Sequence, residues 1–191
     1  PDTYGIYAGS TSNHVIRNCI VSAYTMGVFL YDSSKDYLLN ITSYDNDYSG
    51  MYFNYFYNST VENVTSYSNP GGADVVMDTT EGNVLRNIRT WNSMYGFFVL
   101  FSSGNTFTNI TSVNNEHGIT LGASYLNAIT DSRACSSTAE GFYLHLDSYD
   151  NAGSNNLGNV TDLGSNPGFL STECSPTYVT IFTFIMQNTL L

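Results

Sequence analysis

The sequence predicts an all-β fold: a single-stranded parallel β-helix of about seven rungs, 22–24 residues per rung, with an atypical C-terminal segment. One observation is a motif that returns down the chain: Asn18-Cys19-Ile20, Asn40-Ile41-Thr42, Asn63-Val64-Thr65, Asn87-Ile88-Arg89, Asn109-Ile110-Thr111, Asp131-Ser132-Arg133 and Asn159-Val160-Thr161. A second marker runs in phase with it: Gly5, Gly27, Gly50, Gly96, Gly118 and Gly141, with Asp74 in the fourth slot. No window carries a helical apolar stripe, and β-branched, aromatic and Asn/Ser/Thr residues dominate. Self-similarity at this period marks a solenoid, and such a composition favours strands within it.

Numbering each repeat from its glycine separates the elements. Position 2 reads Ile6, Val28, Met51, Val75, Phe97, Ile119 and Phe142; position 4 reads Ala8, Leu30, Phe53, Met77, Val99, Leu121 and Leu144. Two apolar residues one apart share a strand face, so both should point inward. Position 12 (Ile16, Leu38, Val61, Leu85, Phe107, Ile129, then Leu157 after an insertion) and position 15 (Cys19, Ile41, Val64, Ile88, Ile110, Ser132, Val160) should supply the rest of the core. The Asn of the motif falls at position 14, where a closed coil must bend. Asn tolerates the left-handed backbone of such bends, and its amide can bond head to tail with its copy one rung away. Asn18, Asn40, Asn63, Asn87, Asn109, Asp131 and Asn159 are therefore expected to form a ladder.

The glycine-led strand, the 22-residue step and the run Ser103-Gly104-Asn105-Thr106-Phe107-Thr108-Asn109-Ile110-Thr111 resemble the right-handed parallel β-helix repeat family. NosD-like proteins and secreted carbohydrate-binding and sugar-hydrolysis domains belong to it. The resemblance covers about Tyr4 to Thr161 and implies the fold. Pectate lyases, epimerases, tailspikes and surface-layer components share that fold, so function must be read from the residues.

Regularity stops at Gly164-Ser165-Asn166-Pro167-Gly168, which divides the chain into a coil at 1–163 and a terminal segment at 164–191. Within the latter, Tyr178 to Met186 is rich in strand formers and should cap the coil or pair with another chain. Five basic against 16 acidic residues give a net charge of −11, which excludes phosphate-backbone binding as a main role. No apolar run approaches a membrane span. Little charge and 16 Tyr suggest an extracellular or cell-surface location. Sequons fall at Asn40, Asn58, Asn63, Asn109 and Asn159; Asn58, off the ladder, is the better glycan acceptor. Cys19 reads as a core thiol, and a bond between Cys135 and Cys174, 39 residues apart, would tie the irregular end to the coil.

Few residues announce chemistry. Asp32 and Asp78 lie two rungs apart without a basic partner, and no clustered acid pair of a hydrolase appears. Asp45 and Asp47 flank Asn46 in a turn that could hold a weak calcium ion; no other cofactor is expected. Glu62 and Arg86 share position 13, and His14 and Asp36 share position 10, as cross-rung pairs. His117 and His145 show no orienting carboxylate. The chain thus leans away from being an enzyme. The unusual feature is position 3, outward by alternation yet reading Tyr7, Phe29, Tyr52, Val76, Phe98, Thr120 and Tyr143, with Tyr31 and Leu100 added at position 5. Stacked, these should expose a stripe of roughly 500–600 Å². The leading expectation is an assembly face of a secreted structural protein that binds copies of itself in a sheath, surface layer or filament. The alternative is a glycan-active or glycan-binding β-helix whose aromatics stack on sugar rings.

Overall fold

The structure, a computed structural model, describes residues 3–135 and 137–174; the segment Tyr178 to Met186 lies outside them. A solenoid of about seven turns is built from two parallel sheets. Strands Tyr4–Gly9, Met26–Ser34, Ser49–Tyr57, Ala73–Asp78, Tyr95–Leu100, His117–Gly122, Phe142–Leu144 and Val160–Asp162 form the first sheet, neighbours in space in sequence order. Strands Val15–Ser22, Tyr37–Tyr44, Thr60–Tyr67, Val84–Trp91 and Thr106–Val113 stack in the second, followed by the shorter Ala128–Thr130, Arg133–Cys135 and Ala152–Ser154. Register is one repeat per rung, as in Val28↔Met51↔Val75↔Phe97↔Ile119↔Phe142. Positions 2, 4, 12 and 15 of the middle rungs are fully buried and make one core.

The coil closes through left-handed corners at positions 6, 9, 14 and 19 of the first five rungs. In the third rung these are Tyr55, Asn58, Asn63 and Ser68, with φ of 52°, 48°, 56° and 56°. Asn is thus one of several residues carrying this strain, and Phe101 and Leu126 carry it elsewhere. At position 14 the Asn side chains do bond in series: Asn40 Nδ2 to Asn18 Oδ1 (3.0 Å), Asn63 to Asn40 (3.2 Å), Asn87 to Asn63 and Asn109 to Asn87 (both 2.9 Å). All are exposed. Each member donates back to its predecessor, and the carboxylate of Asp131 has no N–H to give Asn109, so the series stops there.

It resumes with Asn155, which donates to Asp131 at 3.1 Å, and not with Asn159. Strand Ala152–Ser154 pairs with Ala128–Thr130, whereas Val160 pairs with Phe142 at position 2 of an eighth, shortened rung. Asn159 repeats the motif's letters one corner too late. Leu157 is likewise displaced from the core, 46% exposed. The inward place opposite Ile129 falls to Gly153, and Phe169 from the terminal segment packs over it. The described part of that segment therefore folds onto its own coil, fastened by Asn166, by Thr172 against Gly158, and by the Cys135–Cys174 disulfide (Cα–Cα 5.8 Å).

Glycine at position 1 has a packing cause. A Cβ on Gly27, Gly50 or Gly96 would overlap the Ser hydroxyl at position 17 (Ser43, Ser66, Ser112) and crowd the Asn amide at position 20 (Asn46, Asn69, Asn115). In the fourth rung those places hold Thr90 and the shorter Ser93, and Asp74 enters the space. Its Oδ1 accepts from Asn69 Nδ2 (2.6 Å) and Ser93 Oγ (2.7 Å).

Candidate binding face

The same glycine breaks strand alternation in the first sheet. Ladder pairs run Tyr95↔His117 and then Phe97↔Ile119, skipping the glycine, so positions 1 and 2 both face inward. The residue ahead of the glycine then joins positions 3 and 5 on the outer face. This adds Tyr4, Met26, Tyr95, His117 and Glu140 to the outward aromatics.

The expected continuous stripe is not formed. Val76 and Thr120 are only 5% and 4% exposed. Two clefts result. The first, about 540 Å³, is lined by Tyr4, Phe29, Tyr31, Tyr48, Tyr52 and Asp78 among others. The second, about 300 Å³, is lined by Tyr95, Phe98, Leu100, His117, Tyr143 and His145. In the first, Tyr4, Tyr7 and Phe29 pack within 5.2–5.6 Å of one another, and Phe29 meets Tyr52 edge-on at 5.5 Å. In the second, Tyr95 stacks between Phe98 (4.5 Å) and His117 (4.7 Å). Tyr7 is the most open member of the face at 56%, while Phe29, Tyr52, Phe98, Leu100 and Tyr143 are half-buried.

Polar groups are placed within these walls. The Tyr52 hydroxyl donates to Asp78 Oδ2 at 3.1 Å, and Thr79 Oγ1 donates to Oδ1 at 3.0 Å. Burial, reinforced by the Asp78 charge, holds the Tyr52 phenol well above the ordinary tyrosine range, so it remains a donor at neutral pH. Burial and then Glu116 and Glu140 raise Tyr95 in the same way. His117 Nδ1 lies 2.7 Å from Glu140 Oε2, and its Nε2 3.9 Å from Glu116 Oε1. The absence of an orienting carboxylate for His117 is thereby corrected. The signal was available: His117 and Glu140 each precede a repeat glycine, so they occupy one column a rung apart. His145 Nδ1 lies 3.8 Å from Asp147 Oδ2 at the rim.

The remaining candidates lie elsewhere. Asp32 is exposed at a corner, and Arg86 and Glu62 pair on the second sheet at 2.9 Å. Asp45 and Asp47 are exposed on either side of buried Asn46, and Asn58 is an exposed corner. His14 Nδ1 contacts Asp36 Oδ1 at 2.7 Å, and this pair opens a column the sequence reading missed. At position 10 each backbone N–H donates to the side chain one rung on: His14 to Asp36, Asp36 to Ser59, Ser59 to Asn83, Asn83 to Asn105, Asn105 to Asn127, Asn127 to Asn151 and Asn151 to Asn166. From Asp36 onward this column is buried, and it holds the rungs beneath both clefts in register.

Residues 2–173 match the family described as periplasmic copper-binding protein (NosD). The chain belongs to the NosD family. No curated protein matches it by sequence. Among solved structures, the periplasmic alginate epimerase AlgG aligns with a TM-score of 0.70 at 19% identity, over 91% of this chain and 45% of that one. Pectate lyase Pel9A aligns at 0.63 and 17%, over 90% and 56%. The tailspike protein gp49 of Pseudomonas phage LKA1 aligns at 0.51 and 10%, over 82% and 29%. The likeness shows the right-handed parallel β-helix, and the chain spans about half the length of the epimerase and the lyase. Copper would require a converging set of His, Cys or Met ligands. Among the described residues no three or more His, Cys, Asp or Glu are grouped so as to hold a metal ion. No described helix is long and apolar enough to cross a membrane.

Proposed function

We propose that the chain is a glycan-binding β-helix whose ligand lies along the outer face of the first sheet. The observation that carries this reading is the alignment of two aromatic-walled clefts on one sheet face, each with fixed polar groups. Aromatic faces take the C–H faces of pyranose rings, while Tyr52, Asp78, His117 and Glu140 offer directional hydrogen bonds to hydroxyls. The polymers named in the descriptions of the epimerase and the lyase lend support. The gathering of the rings into two clefts, in place of one continuous stripe, counts against a flat sheath or filament contact. The family's periplasmic description and the Cys135–Cys174 bond support a location outside the cytoplasm.

The test is affinity electrophoresis of the purified chain in gels containing single polysaccharides. At least one should retard it, and Phe98→Ser with Tyr143→Ser should abolish retardation while the circular dichroism spectrum is kept. Retardation by none, together with concentration-dependent assembly that the double variant loses, would restore the self-assembly reading. A second reading, glycan processing, rests on the His117–Glu140 contact inside the cleft. A base oriented by a carboxylate is suited to proton transfer from a bound sugar. His117→Gln should then remove turnover and leave retardation within about 3-fold of its original value.

A further inference from the structure

The charges around the clefts narrow the ligand. The sequence has five basic side chains, Arg17, Lys35, Arg86, Arg89 and Arg133. The four arginines all lie on second-sheet strands, and Lys35 is an exposed corner residue beyond the end of Met26–Ser34. None lines either cleft. The face holds instead Asp78 in the first cleft, and Glu140, Glu116 and Asp147 in or beside the second. His117 and His145, the histidines among the lining residues, each have a carboxylate within 4 Å.

A polyuronate or sulfated chain laid along these clefts would bring an acid group to nearly every sugar. Acid groups on a surface with this net negative field are repelled, and recognition of carboxylates relies on Arg or Lys forks that this face lacks. A bound divalent cation could reverse the sign, but the described residues gather no ligand set for one. The aromatic walls and the neutral donor Tyr52 have no such conflict with a sugar carrying only hydroxyls or amides.

Resting on the glycan-binding reading, we infer that the face takes a polysaccharide without carboxylate or sulfate groups. In this it departs from the chemistry of alginate and pectate, the polyuronates that name its structural neighbours.

The experiment extends the electrophoresis to neutral mannans, glucans and galactans, an amine-bearing polymer (chitosan), and polyanions (alginate, polygalacturonate, a sulfated galactan). Expected is retardation by a neutral or amine-bearing polymer and none by a polyanion at 20 mM salt. A neutral ligand should hold its affinity within about 2-fold between 20 and 500 mM salt, while an amine-bearing one should weaken by more than about 10-fold. Charge-neutralising Glu116→Gln with Asp147→Asn should reduce any amine binding. Retardation by alginate or polygalacturonate that Phe98→Ser removes would overturn the inference while sustaining the glycan reading. Retardation by nothing would overturn both.

Discussion

Two columns of asparagine climb this coil, one outside and one inside, and they differ in what they hold. The exposed column, Asn18 to Asn109 at position 14, bonds amide to amide and has water as an alternative partner at every rung. The buried column runs through Asn83, Asn105, Asn127, Asn151 and Asn166, and from Asn105 on each Oδ1 accepts both the backbone N–H and the Nδ2 of the rung before. Its Nδ2 groups also reach backbone carbonyls that turn inward at the corner, such as Thr80 O and Ser102 O. Water cannot replace these partners, so equal-looking ladders carry unequal energy.

The largest effect should therefore come from the inner column. Asn105→Leu keeps the branched outline of the side chain but leaves the Asn83 N–H without a partner, and it takes one partner each from the Asn83 amide, which keeps Phe56 O, and from Thr80 O, which keeps the Ser103 N–H. A loss of about 2–3 kcal/mol is expected from one stranded buried N–H and two weakened neighbours, read as a fall in the urea midpoint. A change below about 1 kcal/mol would erase the distinction between the columns.

The sequence made the outer column more visible than the inner one. Position 14 repeats Asn in every rung but the sixth, where Asp131 stands, because it is a left-handed corner with free space around it and both residues tolerate that backbone. Position 10 opens on His14, which only donates its N–H, and then varies through Asp36, Ser59 and Asn83, since any short side-chain acceptor satisfies the N–H of the rung before. Chemical equivalence hid the pattern that letter identity revealed elsewhere. The strand register, the core and the outward aromatics were legible because apolar period and repeat length fix them directly. The split of the stripe into clefts was not, for it depends on side-chain contacts such as Tyr52 with Asp78 and Tyr95 with Phe98 and His117, which apolar period does not fix. The misplaced Asn159 came from trusting the motif over its spacing: the step from Asp131 to Asn155 keeps the repeat, and the step to Asn159 does not.

A second buried column, in which Asn46, Asn69 and Ser93 each donate a backbone N–H to the side chain one rung on, encloses Asp74 and supplies a pH test of intermediate size. Burial pushes the Asp74 carboxyl up to about 8, opposed by the hydrogen bonds from Ser93 and Asn69, so it stays largely protonated at neutral pH. The folded state then holds a proton that the unfolded chain releases above its ordinary value near 3.8. Its contribution is fully present below pH 4, is lost as pH rises toward 8, and is constant above that. The slope is at most about 1.4 kcal/mol per pH unit. Asp74→Asn should flatten this fall, giving a variant that gains on the wild type steadily from pH 4 to 8 in chemical denaturation. Parallel profiles would mean that the carboxyl is hydrated and that this column is not closed to water.

The smallest effect should be on the outer ladder, and it separates the two duties of its asparagines. Asn87 has φ of 58° and exchanges amide bonds of 2.9 Å with Asn63 and Asn109. Asn87→Gly keeps the left-handed corner and removes only the amide, whose former partners are exposed and rehydrate. The added flexibility of the unfolded chain is the main penalty, so the loss should stay under about 1 kcal/mol. Asn87→Val removes the same amide and forces a β-branched residue into a backbone it avoids, adding about 1–2 kcal/mol. Asn114 is no neutral reference for such changes, since it is itself a corner with φ of 54°. If glycine and valine at position 87 were equally harmful, and as harmful as Asn105→Leu, the outer amides would be bonded as strongly as the inner ones. The contrast between the columns would then fail at its weaker end.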